Sequence, residues 1–187
     1  MKTINLPCSD DDIRGLRIGD IFYLSGLLVT GRDEVYHRVA EEDIMPPLCL
    51  SGMAIYHAGP IVKEISSSNP DYKLISIGPT SSVRMEKWAA DFIKKTGVKI
   101  MIGKGGMGEK TAKACREEGA IHCVYPGGCA VLGASQIEKI ENCFWPEFGM
   151  AECMWVMRTG GFGPLIVSID TQGNSIFAGT GGGVRKV

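Results

Sequence analysis

The chain has 187 residues, of which 44% are hydrophobic, so it can bury a real core as a single domain spanning residues 1–187. Its 20 basic and 21 acidic side chains nearly cancel, which gives no sign of a nucleic acid or a membrane surface as partner. No apolar run approaches the ~18 residues of a membrane span, and no charged-then-apolar leader follows Met1, so we expect a soluble, cytoplasmic protein.

The first third of the chain is predicted to be rich in β-structure. Strands are predicted over residues 21–30, 53–58 and 61–65. Gly26 lies inside the first of these and marks a bulge or a turn. A short helix is predicted over residues 34–42, and Pro46-Pro47 stops it because proline cannot continue a helix.

The middle third repeats a unit of strand, glycine turn and helix. Strands are predicted over residues 73–77, 98–102 and 121–125. The helix that starts at Ser82 carries an apolar stripe and ends at Gly97, and the helix over residues 111–118 ends at Gly119. This order predicts an α/β fold, a three-layer unit whose parallel strands are joined by right-handed crossovers.

The last third is predicted to contain one helix and two strands. The helix covers residues 136–142, and the strands cover residues 151–157 and 164–170. A hairpin-type turn at residues 171–174 returns the chain, and residues 179–187 are expected to fray.

The seven cysteines favour neither a disulfide framework nor a metal site. Their number is odd, and no two of them show the C-x-x-C spacing of zinc and redox sites. We therefore expect reduced, mostly buried thiols, and no metal or cofactor bound by this chain alone.

Two of the glycine turns carry polar side chains at the mouth of a predicted helix. Residues 77–85 include Thr80 and Arg84, and residues 102–107 include Lys104. Because turns after parallel strands open at the same edge of a sheet, these three side chains are expected to converge on one pocket. Two cations and two helix N-termini that face one pocket favour an anion.

Each of these residues also has a plainer interpretation. The glycine-rich run around Lys104 resembles a phosphate-binding P-loop, but Glu109 would repel the phosphate, and a solvated lysine is the structural alternative. Thr80 would serve equally as a helix cap, and Arg84 as the partner of a surface carboxylate. Arg32, which follows the strand over residues 21–30, is in this interpretation a solvated turn residue. No acid/base pair accompanies these groups in the sequence, so the chain offers half an active site and a second chain should complete it.

Several short motifs occur together over nearly the whole chain. They are Gly59-Pro60, Gly78-Pro79-Thr80 with Arg84-Met85, Gly103-Lys104-Gly105-Gly106-Met107, Tyr125-Pro126-Gly127-Gly128 and Trp155-Val156-Met157. The combination resembles the β subunit of class I (iron–sulfur) fumarate hydratase and the closely similar β subunit of L(+)-tartrate dehydratase. The resemblance implies a swivelling β/β/α three-layer domain and an α subunit partner that carries a [4Fe-4S] cluster.

The resemblance also implies roles for individual residues. Arg32, Arg84 and Lys104 would bind the dicarboxylate substrate, and Thr80 would transfer a proton with the help of an acidic residue of the α subunit. The implied reaction is the reversible hydration of fumarate to L-malate, in which the partner's iron acts as a Lewis acid.

Three alternatives stay open at this point. The substrate of the same machinery would be L(+)-tartrate, the chain would be a non-catalytic swivelling module for binding or assembly, or it would be a nucleotide-binding α/β domain. Exposed apolar residues would also allow the isolated chain to form a homodimer through the surface meant for its partner.

Overall fold

A computed structural model describes residues 2–66 and 71–178 of the chain. Within them the strands are β1 (Lys2–Asn5), β2 (Ile21–Thr30), β3 (Ala54–Tyr56), β4 (Ile61–Ser66), β5 (Asp71–Ser76), β6 (Ile100–Gly103), β7 (Ile121–Val124), β8 (Ile137–Phe144) and β9 (Met154–Ile169). The helices are α1 (Asp10–Arg14), α2 (Asp33–Ala40), α3 (Glu86–Thr96), α4 (Glu109–Glu118) and α5 (Ala130–Ser135), with 3₁₀ turns at Ser82–Met85 and Pro146–Phe148. None of the helices in this part of the chain is long and apolar enough to cross a bilayer.

The main sheet has the strand order β1-β2-β3-β6-β7-β9-β8. Strands β1, β2, β3, β6 and β7 run parallel, whereas β9 runs antiparallel to both β7 and β8. The long strand β9 also pairs with β2, so the sheet closes on itself. Strands β4 and β5 form a separate antiparallel pair, so the prediction that the strand over residues 73–77 belongs to the parallel unit is wrong.

Alternating side chains of the parallel strands point into two different hydrophobic cores. Ala54 and Tyr56 of β3 belong to the core between the parallel strands and β9, whereas Ile55 packs in the core beneath the helices. This second core contains Phe92 of α3 and Cys115 of α4. Two cores around one parallel sheet confirm the predicted three-layer α/β fold.

The predicted helix ends at Gly97 and Gly119 and the predicted bulge at Gly26 are confirmed by the structure. Helix α3 ends at Gly97 with φ of 68°, and α4 ends at Gly119 with φ of 63°, both in the left-handed region. Gly26 has φ of 116° and lies beside a register shift between β2 and β9, as the predicted bulge requires. A Cβ atom at this position would stand 2.6 Å from the carbonyl oxygen of Leu6.

The helix predicted over residues 136–142 is wrong, because this segment forms strand β8 at the edge of the sheet. Its apolar residues Ile137 and Ile140 are three apart, which is a helical spacing. In the strand this spacing results from register shifts on either side of Ile140, which break the two-residue alternation.

The two strands predicted over residues 151–157 and 164–170 are a single strand, β9. Pairing with β2 continues across the glycines between the two predicted strands, from Val156 to Ile166. The predicted turn at residues 171–174 is confirmed by the Asp170 carboxylate, which accepts hydrogen bonds from the amides that follow. The predicted fraying of residues 179–187 lies outside the described residues.

Candidate active site

The backbones of Thr80 and Lys104 lie side by side at one edge of the parallel sheet. The Thr80 amide donates to the carbonyl of His57 at 2.6 Å, directly after strand β3. The Lys104 amide donates to the Thr80 carbonyl at 3.0 Å, and the Ser82 amide donates back to the Lys104 carbonyl at 2.9 Å. This short parallel bridge fixes the loop after β5 against the end of β6.

Arg84 lies in the 3₁₀ turn Ser82–Met85, which continues directly into α3, so the helical segment starts at Ser82 as predicted but its first turn is 3₁₀. Its guanidinium pairs with the Asp33 carboxylate, with Nη2 at 2.8 Å from Oδ2 and Nε at 3.2 Å from Oδ1. The side chain of Arg84 is 48% exposed, so the pair lies at the surface. In the chain as described, Arg84 therefore has the surface carboxylate partner that its plainer interpretation expects.

The Arg32 side chain is fixed by an ion pair and mostly buried, so it is not a solvated turn residue. It immediately precedes α2, and its Nη2 atom lies 2.9 Å from Oε1 of Glu152, with only 18% of the side chain exposed. The guanidinium lies against the backbone of Gly59, where a Cβ atom would stand 2.4 Å from Nη1. Within the described residues, the buried Nε atom of Arg32 has no hydrogen-bond partner.

The two arginines and two carboxylates form one electrostatic cluster. Burial raises the pKa of Glu152, and the nearby Arg32 opposes this increase, with smaller effects from Asp33 and Arg84. Each arginine is thus balanced by a carboxylate. The exposed ammonium of Lys104 makes no ion pair with any described residue.

The N-terminus of α4 is already occupied by a side chain of the protein. The Glu86 carboxylate accepts hydrogen bonds from the Gly108 amide at 2.7 Å, the Thr111 amide at 3.3 Å and the Thr111 hydroxyl at 2.6 Å. A helix N-terminus capped by a carboxylate does not attract a further anion. The expectation that two helix N-termini face the ligand is therefore wrong for α4, and the same contact disfavours a nucleotide phosphate there.

A chain of buried polar side chains beneath this edge was not identified as functional from the sequence. Tyr36 Oη lies 2.7 Å from His57 Nε2, and Ser82 Oγ lies 2.9 Å from both His57 Nδ1 and His122 Nε2. His122 Nδ1 lies 2.5 Å from Ser168 Oγ. Burial lowers the pKa of His57 well below its usual value and that of His122 to about 3, so both rings are neutral. Only the position of His57 at the end of a predicted strand, two residues before a glycine turn, hinted at this cluster.

The cysteines of the described chain do not fit a cluster site. Cys143 Sγ and Cys153 Sγ lie 3.3 Å apart. Burial raises the pKa of Cys8 to about 11 and that of Cys115 to about 12, so these thiols stay protonated. No group of three or more metal-ligating side chains is arranged to hold an ion within residues 2–66 and 71–178.

The four predicted site residues do not line one enclosed pocket in the described part of the chain. Lys104 is exposed, while Thr80 and Arg32 are half-buried. A cavity of about 580 Å³ lies between α4 and residues 173–178 and includes none of the four. Any ligand held by these residues would therefore be covered by a surface that the described chain does not provide.

Several known proteins are similar to this chain over most of its length. Residues 1–180 match the family described as Fumarase C-terminus. The chain is 47% identical to the L(+)-tartrate dehydratase subunit beta of Escherichia coli, over 95% of this chain and 87% of that protein. It is 39% identical to a putative L(+)-tartrate dehydratase subunit beta of Methanocaldococcus jannaschii, over 89% and 86% respectively. It is also 36% identical to a putative fumarate hydratase class I of Geobacillus stearothermophilus, matching 93% of this chain and 33% of that longer protein. These matches confirm the resemblance inferred from the motifs, and the chain belongs to the Fumarase C-terminus family.

Proposed function

We propose that this chain is the β subunit of a two-subunit hydro-lyase that adds or removes water at a dicarboxylic acid with a four-carbon backbone. The observation that carries the proposal is the backbone hydrogen bond that joins Lys104 to Thr80 at an open edge, where the Lys104 side chain is exposed and makes no ion pair with any described residue. L(+)-tartrate is the first candidate substrate, because the relatives of matching length carry that name. Hydration of fumarate to L-malate is the second, supported by the similarity to a putative class I fumarate hydratase.

The two arginines and Lys104 would bind the carboxylates of a dianion in different ways. Arginine grips a carboxylate through two parallel N–H donors, whereas lysine supplies a point charge. Asp33 and Glu152 orient Arg84 and Arg32 respectively, and they leave other N–H groups of each guanidinium available to a ligand. Lys104 would meet the second carboxylate and stabilise the negative charge that develops on it when a proton is removed from the neighbouring carbon.

Thr80 is the proposed site of proton transfer. Its backbone is held on both sides, through the amide by His57 and through the carbonyl by Lys104. Among the described residues nothing accepts or donates a hydrogen bond at the Thr80 hydroxyl, so no base in this part of the chain activates it. An unactivated hydroxyl is a poor base, and the second acid/base group is therefore expected from the partner.

The partner we propose is an α subunit that carries a [4Fe-4S] cluster and meets this chain in the cytoplasm. The open edge around Lys104 and the lack of a fitting cysteine set among the described residues both support a shared site. The cluster would supply the Lewis acid that assists departure of the hydroxyl group. This chain's own residues would bind the carboxylates and transfer the proton.

The proposal is tested by anaerobic co-expression with an α subunit, followed by assays on L(+)-tartrate, fumarate and mesaconate in parallel. We expect turnover of one of these acids, reduced about 10²–10³-fold by Lys104→Met, because a preorganised charge at the developing anion is lost. Lys113→Met, an exposed lysine on α4 whose ion pair is with Glu117, is the matched control and should keep normal turnover. A complex that assembles but is inactive on all three acids, or a Lys104→Met complex with normal activity, would contradict the proposal and favour a non-catalytic module.

A further inference from the structure

Five fully buried polar side chains form a continuous hydrogen-bonded chain beneath the Thr80–Lys104 edge: Tyr36, His57, Ser82, His122 and Ser168. They come from five separate segments of the chain. Buried polar groups of this kind are costly unless every donor and acceptor is satisfied. Their protons can therefore be placed by counting.

The count starts at Ser168, where one acceptor is unambiguous. Ser168 Oγ lies 3.0 Å from the carbonyl oxygen of His122, which can only accept, so the single hydroxyl proton is donated there. His122 Nδ1 lies 2.5 Å from the same Oγ and must then be the donor. A neutral imidazole carries one N–H, so His122 Nε2 accepts from the hydroxyl of Ser82.

The remaining two bonds follow in the same direction. The Ser82 proton is used on His122, so His57 Nδ1 must donate to Ser82 Oγ. His57 Nε2 is then an acceptor, and Tyr36 Oη donates to it. Every hydrogen bond of this network therefore runs in the same direction, from Tyr36 towards Ser168. Both imidazoles carry their proton on Nδ1.

His57 holds the candidate site in two ways at once. Its carbonyl accepts from the Thr80 amide at 2.6 Å, and its Nδ1–H donates to the side chain of Ser82, two residues further on. Between these two points the same segment exchanges backbone hydrogen bonds with Lys104. Gly103 makes the close approach possible, because a Cβ atom there would stand 2.0 Å from Ser82 Oγ.

We propose that His57 and Ser82 are positioning residues: the hydrogen bond from His57 Nδ1–H to Ser82 Oγ fixes the segment of residues 80–82 in register with Lys104. Thr80 and Lys104 thereby keep their relative placement at an otherwise open surface. The catalytic consequence of this positioning rests on the proposed function, whereas the tautomers and the backbone register do not.

The tautomers are tested directly on the full chain by ¹⁵N NMR of the histidine rings. We expect a protonated Nδ1 and an unprotonated Nε2 for both His57 and His122. An Nε2–H tautomer at His57 would overturn the inference, since the bond to Ser82 would then run in the other direction. A doubly protonated ring would overturn it as well, since the protons were placed for neutral imidazoles.

The positioning role is tested with Ser82→Ala and its matched control Ser168→Ala. The control also removes a buried serine hydroxyl, but at the end of the hydrogen-bonded network that lies away from Thr80. Ser82→Ala should speed amide hydrogen exchange at Thr80 and Lys104 about 10-fold or more, as expected for one lost buried hydrogen bond. Ser168→Ala should leave these two amides nearly unchanged. Equal exchange in both variants would overturn the inference.

In the assembled complex, Ser82→Ala should lower kcat about 10²-fold with a much smaller change in KM, because it misplaces Thr80 more than it weakens carboxylate binding. His57→Asn, whose amide N–H can still donate to Ser82, should retain more activity than His57→Leu. If the wild-type complex turns over none of the three acids while the exchange difference persists, the proposed function fails and the positioning inference stands. If the wild-type complex is active and Ser82→Ala changes neither exchange nor kcat, the inference fails and the function stands.

Discussion

Two neutral imidazoles buried in the core make the stability of this protein sensitive to mild acid. Burial lowers the pKa of His57 well below its usual value and that of His122 to about 3. In the unfolded chain each ring takes up a proton near pH 6.5. As the pH falls below this value, the unfolded state binds protons that the folded state excludes, so the free energy of unfolding must decrease. The full stability is present above pH 6.5 and is lost progressively towards pH 3.

The expected loss can be worked out for a practical window. Between pH 7.5 and 5.5 each histidine lowers the free energy of unfolding by about 1.4 kcal/mol, and the pair by about 2.7 kcal/mol. Carboxylates whose pKa is lowered by ion pairs, such as Glu141 beside Arg158, titrate below this window. Glu152, whose pKa burial raises, acts in the opposite direction, so any proton that it binds near pH 5.5 reduces the loss.

The assay is urea unfolding at a series of pH values in a His37→Gln background, which leaves only the two buried histidines in the chain. His122→Asn in this background should reduce the pH dependence by about one proton, that is by half. A free energy of unfolding that stays constant between pH 7.5 and 5.5 would refute the reasoning. It would mean that the folded protein protonates both rings as easily as the unfolded chain does.

Further predictions concern the contacts around the same edge. Gly103→Ala should lower the free energy of unfolding by about 3 kcal/mol in urea titrations, because the new methyl group would overlap Ser82 Oγ at 2.0 Å. Gly161→Ala is its control, since no described atom lies within 4 Å of the added Cβ, and it should cost far less. Glu86→Ala should lower the unfolding free energy by about 1–2 kcal/mol, because the Gly108 amide just before α4 and the Thr111 amide in its first turn lose their acceptor; an unchanged value would mean that water caps this helix equally well. Arg84→Lys should raise KM of the assembled complex about 10-fold, since the two-donor grip is lost while the charge is kept; an unchanged KM would remove Arg84 from the binding site.

The parts of the fold that depend on local chemistry were predictable from the sequence. Gly97 and Gly119 end their helices because each adopts a left-handed conformation that other residues avoid. Strand β8 was not predictable in this way, because the bulges beside Ile140 are set by pairing with β9. The start of α1 is also encoded locally, by a capping box in which the Asp12 carboxylate accepts from the Ser9 amide at 2.7 Å.

The same division applies to the candidate site. The proximity of Thr80 and Lys104 was predicted from the rule that turns after parallel strands meet at one sheet edge, and the two backbones are indeed hydrogen-bonded. The rule is not the reason, because β5, the strand before Thr80, pairs antiparallel with β4 outside the main sheet. The partners of the arginines do not follow from any local pattern, because Glu152 meets Arg32 only through the tertiary fold. The bond between Ser82 and His57 is equally non-local, and a buried histidine looks the same in a sequence whether it only packs or also holds a loop.

The charges at the Thr80–Lys104 edge limit which partner could cover a bound dicarboxylate. Arg32, Arg84 and Lys104 contribute three positive charges, and Asp33 and Glu152 contribute two negative ones, so the cluster carries a net charge of about +1. A dicarboxylate brings two negative charges, which would leave the occupied edge at about −1 if it were closed off from water with no further cation. An uncompensated buried charge is strongly unfavourable, so a partner that covers the bound dianion must add at least one positive charge or a proton. The raised pKa of Glu152 marks that carboxylate as one group that can take up the proton. We therefore expect binding of a dicarboxylate to the assembled complex to be accompanied by proton uptake that Glu152→Gln abolishes. Uptake that is unchanged in this variant would place the compensating charge on the partner.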